Sequence, residues 1–249
     1  MACAPLTRKR YGCSSLHVCL DGTRSIQQLA TMPLQPPDSV RVVFVSDTHS
    51  QLADIDIPPG DIFCHTGDIT FCASGGLATL EEFDKQLALL SHEHKVVIAG
   101  NHDLTFDGAS YPETHKRFGH SERLDDAACR AMLAAVPGVE YLCDSGTAVR
   151  GVTVYGSPWQ PEFCGWAFNL PRGEGCRAKW RQIPTGTDVV VTHGPPLGRG
   201  AASAVVAQMG KVPGFRRGRT VVFVPQHGIP GACRLLTSES TRAGRGSRG

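Results

Sequence analysis

The sequence predicts an α/β domain with at least partly parallel sheets. Short runs rich in β-branched residues recur along the chain, and stretches with apolar residues at helical spacing fall between them. With 249 residues, 41% hydrophobic and 19% charged, the chain suits one globular domain with a substantial core. Met1–Ser39 reads as a poorly structured lead-in that ends at the breaker Pro36-Pro37-Asp38. Val40–Ser46 (VRVVFVS) is then the first buried strand, and similar runs follow at Asp61–His65, Lys95–Ala99, Val152–Tyr155, Asp188–Thr192 and Thr220–Val224. Leu77, Leu80, Phe83, Leu87 and Leu90 recur at helical spacing with Glu81, Glu82 and Asp84 opposite, which predicts an amphipathic helix. Leu124–Val136 predicts a second helix, closed by Pro137-Gly138. Pro158–Gly175 reads as a long loop carrying Trp159, Phe163, Trp166 and Phe168.

Charge divides the chain unevenly. Nine of the 25 basic residues but one of the 23 acidic residues lie from Arg199 onward, so that segment carries +8 and the body before it −6. A solvated terminus is the simpler reading of this Gly/Ser-rich basic tail, and a nucleic-acid partner is not expected. The ten cysteines are scattered without a CxxC pair, which argues against a zinc knuckle and fits a reducing, cytoplasmic setting. Cys64 sits in a strand run and reads as a small buried hydrophobe. The acid-free first twenty residues, with Arg8, Lys9 and Arg10, faintly resemble an organelle-targeting leader. No apolar run approaches the roughly 20 residues that span a bilayer, so no membrane partner is expected.

Polar residues gather where the strand runs stop. Val40–Ser46 releases Asp47-Thr48-His49, Asp61–Thr66 releases Gly67-Asp68, Lys95–Ala99 releases Gly100-Asn101-His102-Asp103, and Asp188–Thr192 releases His193-Gly194. Open α/β sheets build their sites at that end of the strands. Each element alone has a plainer reading: a turn for Asp47 to His49 or for Gly67-Asp68, a helix cap for Asn101, a turn histidine for His193. Together, carboxylate, imidazole and carboxamide donors without thiolate suit a divalent ion such as Mn²⁺, Fe²⁺, Zn²⁺ or Mg²⁺. One carboxylate can bridge two such ions about 3.5–4 Å apart, where they hold and acidify a shared water. Gly67 and Gly100 let the backbone turn and keep bulk away from that centre.

The order D-x-H, GD, GNHD, H-G resembles the calcineurin-like metallophosphoesterases. The strings SDTHS (46–50), HTGDIT (65–70), AGNHDLTFD (99–107), GWAFNLPRG (165–173) and THGPPLG (192–198) are similar to the metallophosphoesterase-domain-containing family known from vertebrate brain. The resemblance covers residues 40–198 and implies a four-layer α/β/β/α sandwich with a two-metal site, Mn²⁺ favoured. By motif, Asp47 and His49 would bind the first ion, Asp68 would bridge, Asn101 and His193 would bind the second, and His102 would be the proton donor. The implied activity is hydrolysis of a small phosphodiester or nucleotide-type substrate by a metal-activated hydroxide.

Asp103 either orients His102 or caps the following turn. His65 is expected to be a packed neighbour of the site. The aromatic loop either stacks a nucleobase or forms a core satellite, and Asn169 and Arg172 contact either phosphate or the loop backbone. The family's closing Gly-His-x-His is missing: the only histidine after His193 is His227, in Pro225-Gln226-His227-Gly228. Residues 199–249 are therefore read as a divergent, partly disordered segment. A catalytically weak homologue that holds a nucleotide or serves as a scaffold stands as the alternative function.

Overall fold

The computed structural model describes residues 34–35, 39–71 and 76–194, and the backbone of four strands outside them: Cys13–Val18, Arg24–Leu29, Val222–Phe223 and Arg234–Glu239. In chain order the strands are β1 (Cys13–Val18), β2 (Arg24–Leu29), β3 (Ser39–Val45), β4 (Ile62–Thr66), β5 (His94–Ile98), β6 (Val139–Tyr141), β7 (Ser145–Val149), β8 (Val152–Ser157), β9 (Gln160–Pro161), β10 (Asn169–Leu170), β11 (Val189–Thr192), β12 (Val222–Phe223) and β13 (Arg234–Glu239). The α-helices are α1 (Leu77–Leu89), α2 (Tyr111–Thr114), α3 (Asp126–Ala135) and α4 (Glu174–Trp180). Among the described residues the larger sheet runs β2-β1-β13-β3-β4-β5-β6, with β3 to β6 parallel. The second sheet runs β12-β11-β8-β7.

The period-2 alternation of the central strands sorts their side chains into two cores. Val43, Val45, Phe63 and Val97 pack with Leu80, Phe83 and Leu87 of α1 and Leu133 of α3. Val42, Phe44, Ile62, Cys64, Val96 and Ile98 pack with Val149, Val154, Val189 and Val191 of the second sheet. Helices, sheet and second sheet thus form successive layers, and β3 to β5 are buried on both faces, which is why their sequences read as near-continuous apolar runs. Helix α4 is tied down by Lys179, whose Nζ bonds Asp144 Oδ2 at 2.6 Å and lies 4.2 Å from the Trp159 ring. Each fully buried Leu, Ile or Phe contributes about 1.5–3 kcal/mol relative to an exposed one.

The expected helices are present. The leucine-spaced stretch becomes α1, with Leu80, Phe83 and Leu87 buried. The second helix starts where Asp125 accepts a bond from the Ala128 N–H, and the chain turns away at Gly138, φ 75°. Several described elements differ from the sequence reading, among them β6, β13, α4 and the short pair β9 and β10 within the stretch read as a loop. The segment read as an unstructured lead-in contributes β1 and β2, paired antiparallel, with β1 parallel to β13. The stretch between β6 and β8 adds β7, a strand of small and polar residues whose hairpin turns at Arg150 (φ 49°) and Gly151 (φ 79°). The divergent segment 199–249 lies outside the described residues apart from β12 and β13, and His227 falls outside them too. Among the described residues no helix is long and apolar enough to cross a membrane.

Candidate metal centre

The parallel strands β3, β4 and β5 end side by side, and the loops that leave β3 and β4 are joined by backbone hydrogen bonds. Asp47 N donates to Gly67 O (3.0 Å), His49 N to Asp68 O (3.0 Å) and Ser50 N to Ile69 O (2.7 Å). Asp47, His49, Ser50 and Asp68 all have positive φ, between 43° and 67°. That conformation is uncommon for residues other than glycine and is concentrated at functional sites. Behind them Gly67 and Gly100 touch: a Cβ at Gly67 would lie 2.5 Å from His193 Nδ1 and 2.8 Å from Gly100 Cα. The two glycines therefore permit the loops to close on one another, a tighter demand than merely keeping bulk from an ion.

Asp68 is the hub of the cluster. Its Oδ1 accepts from His102 N at 2.9 Å and stands 3.2 Å from His193 Nε2, while Oδ2 faces His49 Nε2 at 3.8 Å and His102 Nε2 at 3.9 Å. Two groups of metal-type donor atoms result, His49 with Asp68 and His102, and Asp47 with Asp68 and His193, each mutually within 4.8 Å. Asn101 adds its carboxamide oxygen, 2.9 Å from His193 Nε2. The five residues expected to form the shell are thus brought together with His102. The partition differs from the expected one: Asp47 groups with His193, and His49 groups with His102.

The histidine tautomers are set from behind. His193 Nδ1 is 2.9 Å from Thr66 O and His49 Nδ1 is 3.2 Å from Thr70 O, so each Nδ1 carries the proton and each Nε2 faces the cluster. Burial by itself would drive Asp68 towards neutrality, yet the charge and hydrogen bond of His193 and the charge of His102 hold it down at about 2. Burial raises Asp47, only partly offset by His193. Burial opposes a charge on His193 as well, but Asp68 first and then Asp47 push it up to about 10. The buried Asp68 and the half-buried Asp47 thus share one imidazolium between them. Divalent cations fit this donor set: nitrogen and oxygen donors converge in a buried cleft.

Sequence reasoning missed the clamp that assembles these loops. Asp103 is fully buried, and its carboxylate accepts from Gly100 N (2.7 Å), Ile69 N (3.1 Å), Thr70 N (2.8 Å) and Thr70 Oγ1 (3.0 Å). Burial, reinforced by the Asp68 charge, raises it to about 6. Its grip spans the loops after β4 and β5, which resolves the choice between orienting His102 and capping a turn in favour of neither. His65 is buried, bonded to Thr48 Oγ1 at 2.9 Å and edge-on to Phe83, outside both donor groups. Asn169 bonds the loop backbone through Phe163 O.

An α/β scaffold that delivers carboxylates, imidazoles and a carboxamide from adjacent strand ends to one shared aspartate defines a hydrolase core of the dinuclear-metal type. The chain belongs to the calcineurin-like phosphoesterase family, whose model matches residues 40–217, past the Gly198 at which the motif strings end. It is 44% identical over 168 residues to metallophosphoesterase domain-containing protein 1 of Homo sapiens, a match covering 66% of this chain and 51% of that protein. The Mus musculus protein of the same name matches to the same extent. A UPF0046 protein of Caenorhabditis elegans is 41% identical over 180 residues, covering 66% of this chain and 44% of that protein. The chain spans about half the length of the curated relatives it matches.

Proposed function

We propose that the chain hydrolyses a small phosphodiester or nucleotide-type substrate. In this reading Asp47, His49, Asp68, Asn101 and His193 hold two divalent cations, Mn²⁺ by preference, and His102 gives a proton to the leaving group. The observation that carries it is the single buried carboxylate, Asp68, shared by two donor groups on opposite oxygens. Bound there, the cations would neutralise phosphoryl charge and lower the pKa of a water. The chain's own residues do the rest. Thr66 O and Thr70 O fix the imidazoles of His193 and His49 so that each turns its Nε2 towards the cluster. In this reading His102, its side chain 11% exposed beside Asp68, would pass a proton between the site and a departing oxygen, a task imidazoles perform near neutrality. The scattered cysteines support a cytoplasmic setting.

The test is Mn²⁺-stimulated turnover of bis-p-nitrophenyl phosphate together with metal analysis. Wild type is expected to hold two ions per chain and to turn over, and Asp68→Asn to lose both properties. His102→Ala is expected to keep both ions and lose about 10²–10⁴ in rate. Loss of an ion from His102→Ala would instead make His102 a ligand, which its grouping with His49 and Asp68 supports. Wild type that binds two ions and shows no turnover overturns the hydrolytic reading. The missing Gly-His-x-His favours the second reading, a weak or inactive homologue that holds a nucleotide. Calorimetric binding of AMP without hydrolysis is its signature.

A further inference from the structure

The aromatic residues of the long loop divide sharply in role. Trp159 is structural: its Nε1 donates to Asp144 Oδ2 (2.8 Å), Lys179 covers its ring, and Phe168 packs edge-on at 5.4 Å. Phe168 is 1% exposed. Phe163 and Trp166 turn the other way. The Trp166 ring lies 4.1 Å from the His102 ring, and Phe163 extends the contact outward at 5.6 Å from Trp166. Phe71 stands 5.4 Å from His102 and 5.8 Å from His49. Phe71 is 48% exposed and Phe163 43%, a large outlay of aromatic surface in water beside the buried Phe44, Phe63, Phe83, Phe106 and Phe168.

The loop that carries this surface is held in place. Pairing of β9 with β10 closes its base, with Gln160 N donating to Phe168 O at 3.0 Å. Ala167 N donates to Asn101 O (3.1 Å), and Phe168 N to the buried carboxylate of Asp107 (2.9 Å). Those two bonds fasten both residues after Trp166 to the segment that supplies Asn101 and His102. Cys164 (φ 56°) and Phe168 (φ 54°) sit in the left-handed region, a strained choice for residues with a side chain. A loop that tolerates strain on both sides of Trp166 and is bonded to the catalytic segment presents its rings in one arrangement, before any ligand arrives.

We infer that Phe71, Phe163 and Trp166 form a stacking subsite for a flat aromatic ring carried on the phosphoester, either a nucleobase or an aryl group. The inference rests on the hydrolytic reading above for the position of the phosphoryl group beside His102. A ring attached through the departing oxygen reaches the Trp166 and Phe71 faces, whereas a small alkyl group leaves them in water.

The test is calorimetric binding of methyl phosphate, phenyl phosphate and AMP to the full chain, alongside turnover of bis-p-nitrophenyl phosphate. Wild type should bind at least one ring-bearing ester about tenfold more tightly than methyl phosphate. Phe71→Leu and Trp166→Leu should each shrink that ratio to about threefold or less, and Trp166→Phe should restore most of it. Phe71 is at the surface, so its variant tests the rim without risk to the fold. Tighter AMP assigns the ring to a nucleobase, and tighter phenyl phosphate to an aryl group. Equal binding of all three esters, or a preference that survives both leucine variants, overturns the subsite. A wild-type protein that keeps the preference but turns nothing over refutes the hydrolytic reading alone.

Discussion

Gly100→Ala would test the closeness of the loops with one methyl group. The Cα of Gly100 faces the backbone and carboxylate of Asp68 and the ring of His193, and an added Cβ would press on all three, lying 2.7 Å from His193 Cε1. A carbon–carbon contact needs about 3.4 Å, so the imidazole or the loop must yield by about 0.7 Å. His193 and Asn101 are wholly buried and Asp68 nearly so, so any displacement falls on the donor cluster itself. Overpacking of this kind costs about 1–3 kcal/mol. For a chain of this size that lowers Tm by about 2–4 °C per kcal/mol. A donor displaced by most of an ångström lowers turnover by about a hundredfold. The assay is Mn²⁺ content and kcat/KM on bis-p-nitrophenyl phosphate, with thermal unfolding in parallel. Gly76→Ala is the control, since a Cβ at that helix start meets nothing within 4 Å. A Gly100→Ala protein with full metal content, unchanged Tm and kcat/KM within threefold of wild type would refute the reasoning that the glycine contact sets the donor spacing.

Two further outcomes follow from groups around the site. Burial keeps His65 neutral down to about 3, whereas the same residue in the unfolded chain takes up a proton near 6.5. The unfolded state therefore binds one more proton between those values, so this stabilisation is complete above 6.5 and is lost as pH falls, at about 1.4 kcal/mol per pH unit. His65→Gln should flatten urea-unfolding stability between pH 4 and 6 by about that slope, measured in EDTA to keep metal linkage out; identical slopes in the two proteins would contradict it. Asp107→Ala removes the acceptor of Phe168 N and of Ser110 Oγ (2.6 Å), leaving a buried N–H unpaired at a cost of about 1–3 kcal/mol. Thermal unfolding should show the loss, and the preference for ring-bearing esters should fall with it as Trp166 loses its fastening. A destabilised variant with its ester preference intact would separate the latch from the subsite.

What the sequence made legible here was whatever depends on neighbours along the chain. VRVVFVS reads as a doubly buried strand because alternate residues, Val42 with Phe44 and Val43 with Val45, feed two different cores, so no polar position interrupts Val42 to Val45. The donors were visible for the same reason: each follows its strand by one to four residues, and the parallel strands β3, β4 and β5 deliver their ends to one edge. β7 was not visible, because Ser145-Gly146-Thr147 has neither apolar alternation nor bulk, and it is held by its pairing to β8. The partition of donors was equally hidden. Whether Asp47 meets His49 or His193 depends on backbone bonds from one loop to the next, Asp47 N to Gly67 O and His49 N to Asp68 O, which no spacing encodes. Asp103 and Trp166 make the point most sharply. Asp103 looked like an accessory of the adjacent His102, yet its partners at Ile69 and Thr70 lie more than thirty positions away. Trp159 and Trp166, seven positions apart and alike in composition, face opposite ways because Asp144 captures one indole while Asn101 and Asp107 fasten the loop beneath the other. Local chemistry nominates the donors of such a cluster, and long-range hydrogen bonds of the backbone decide which of them come together.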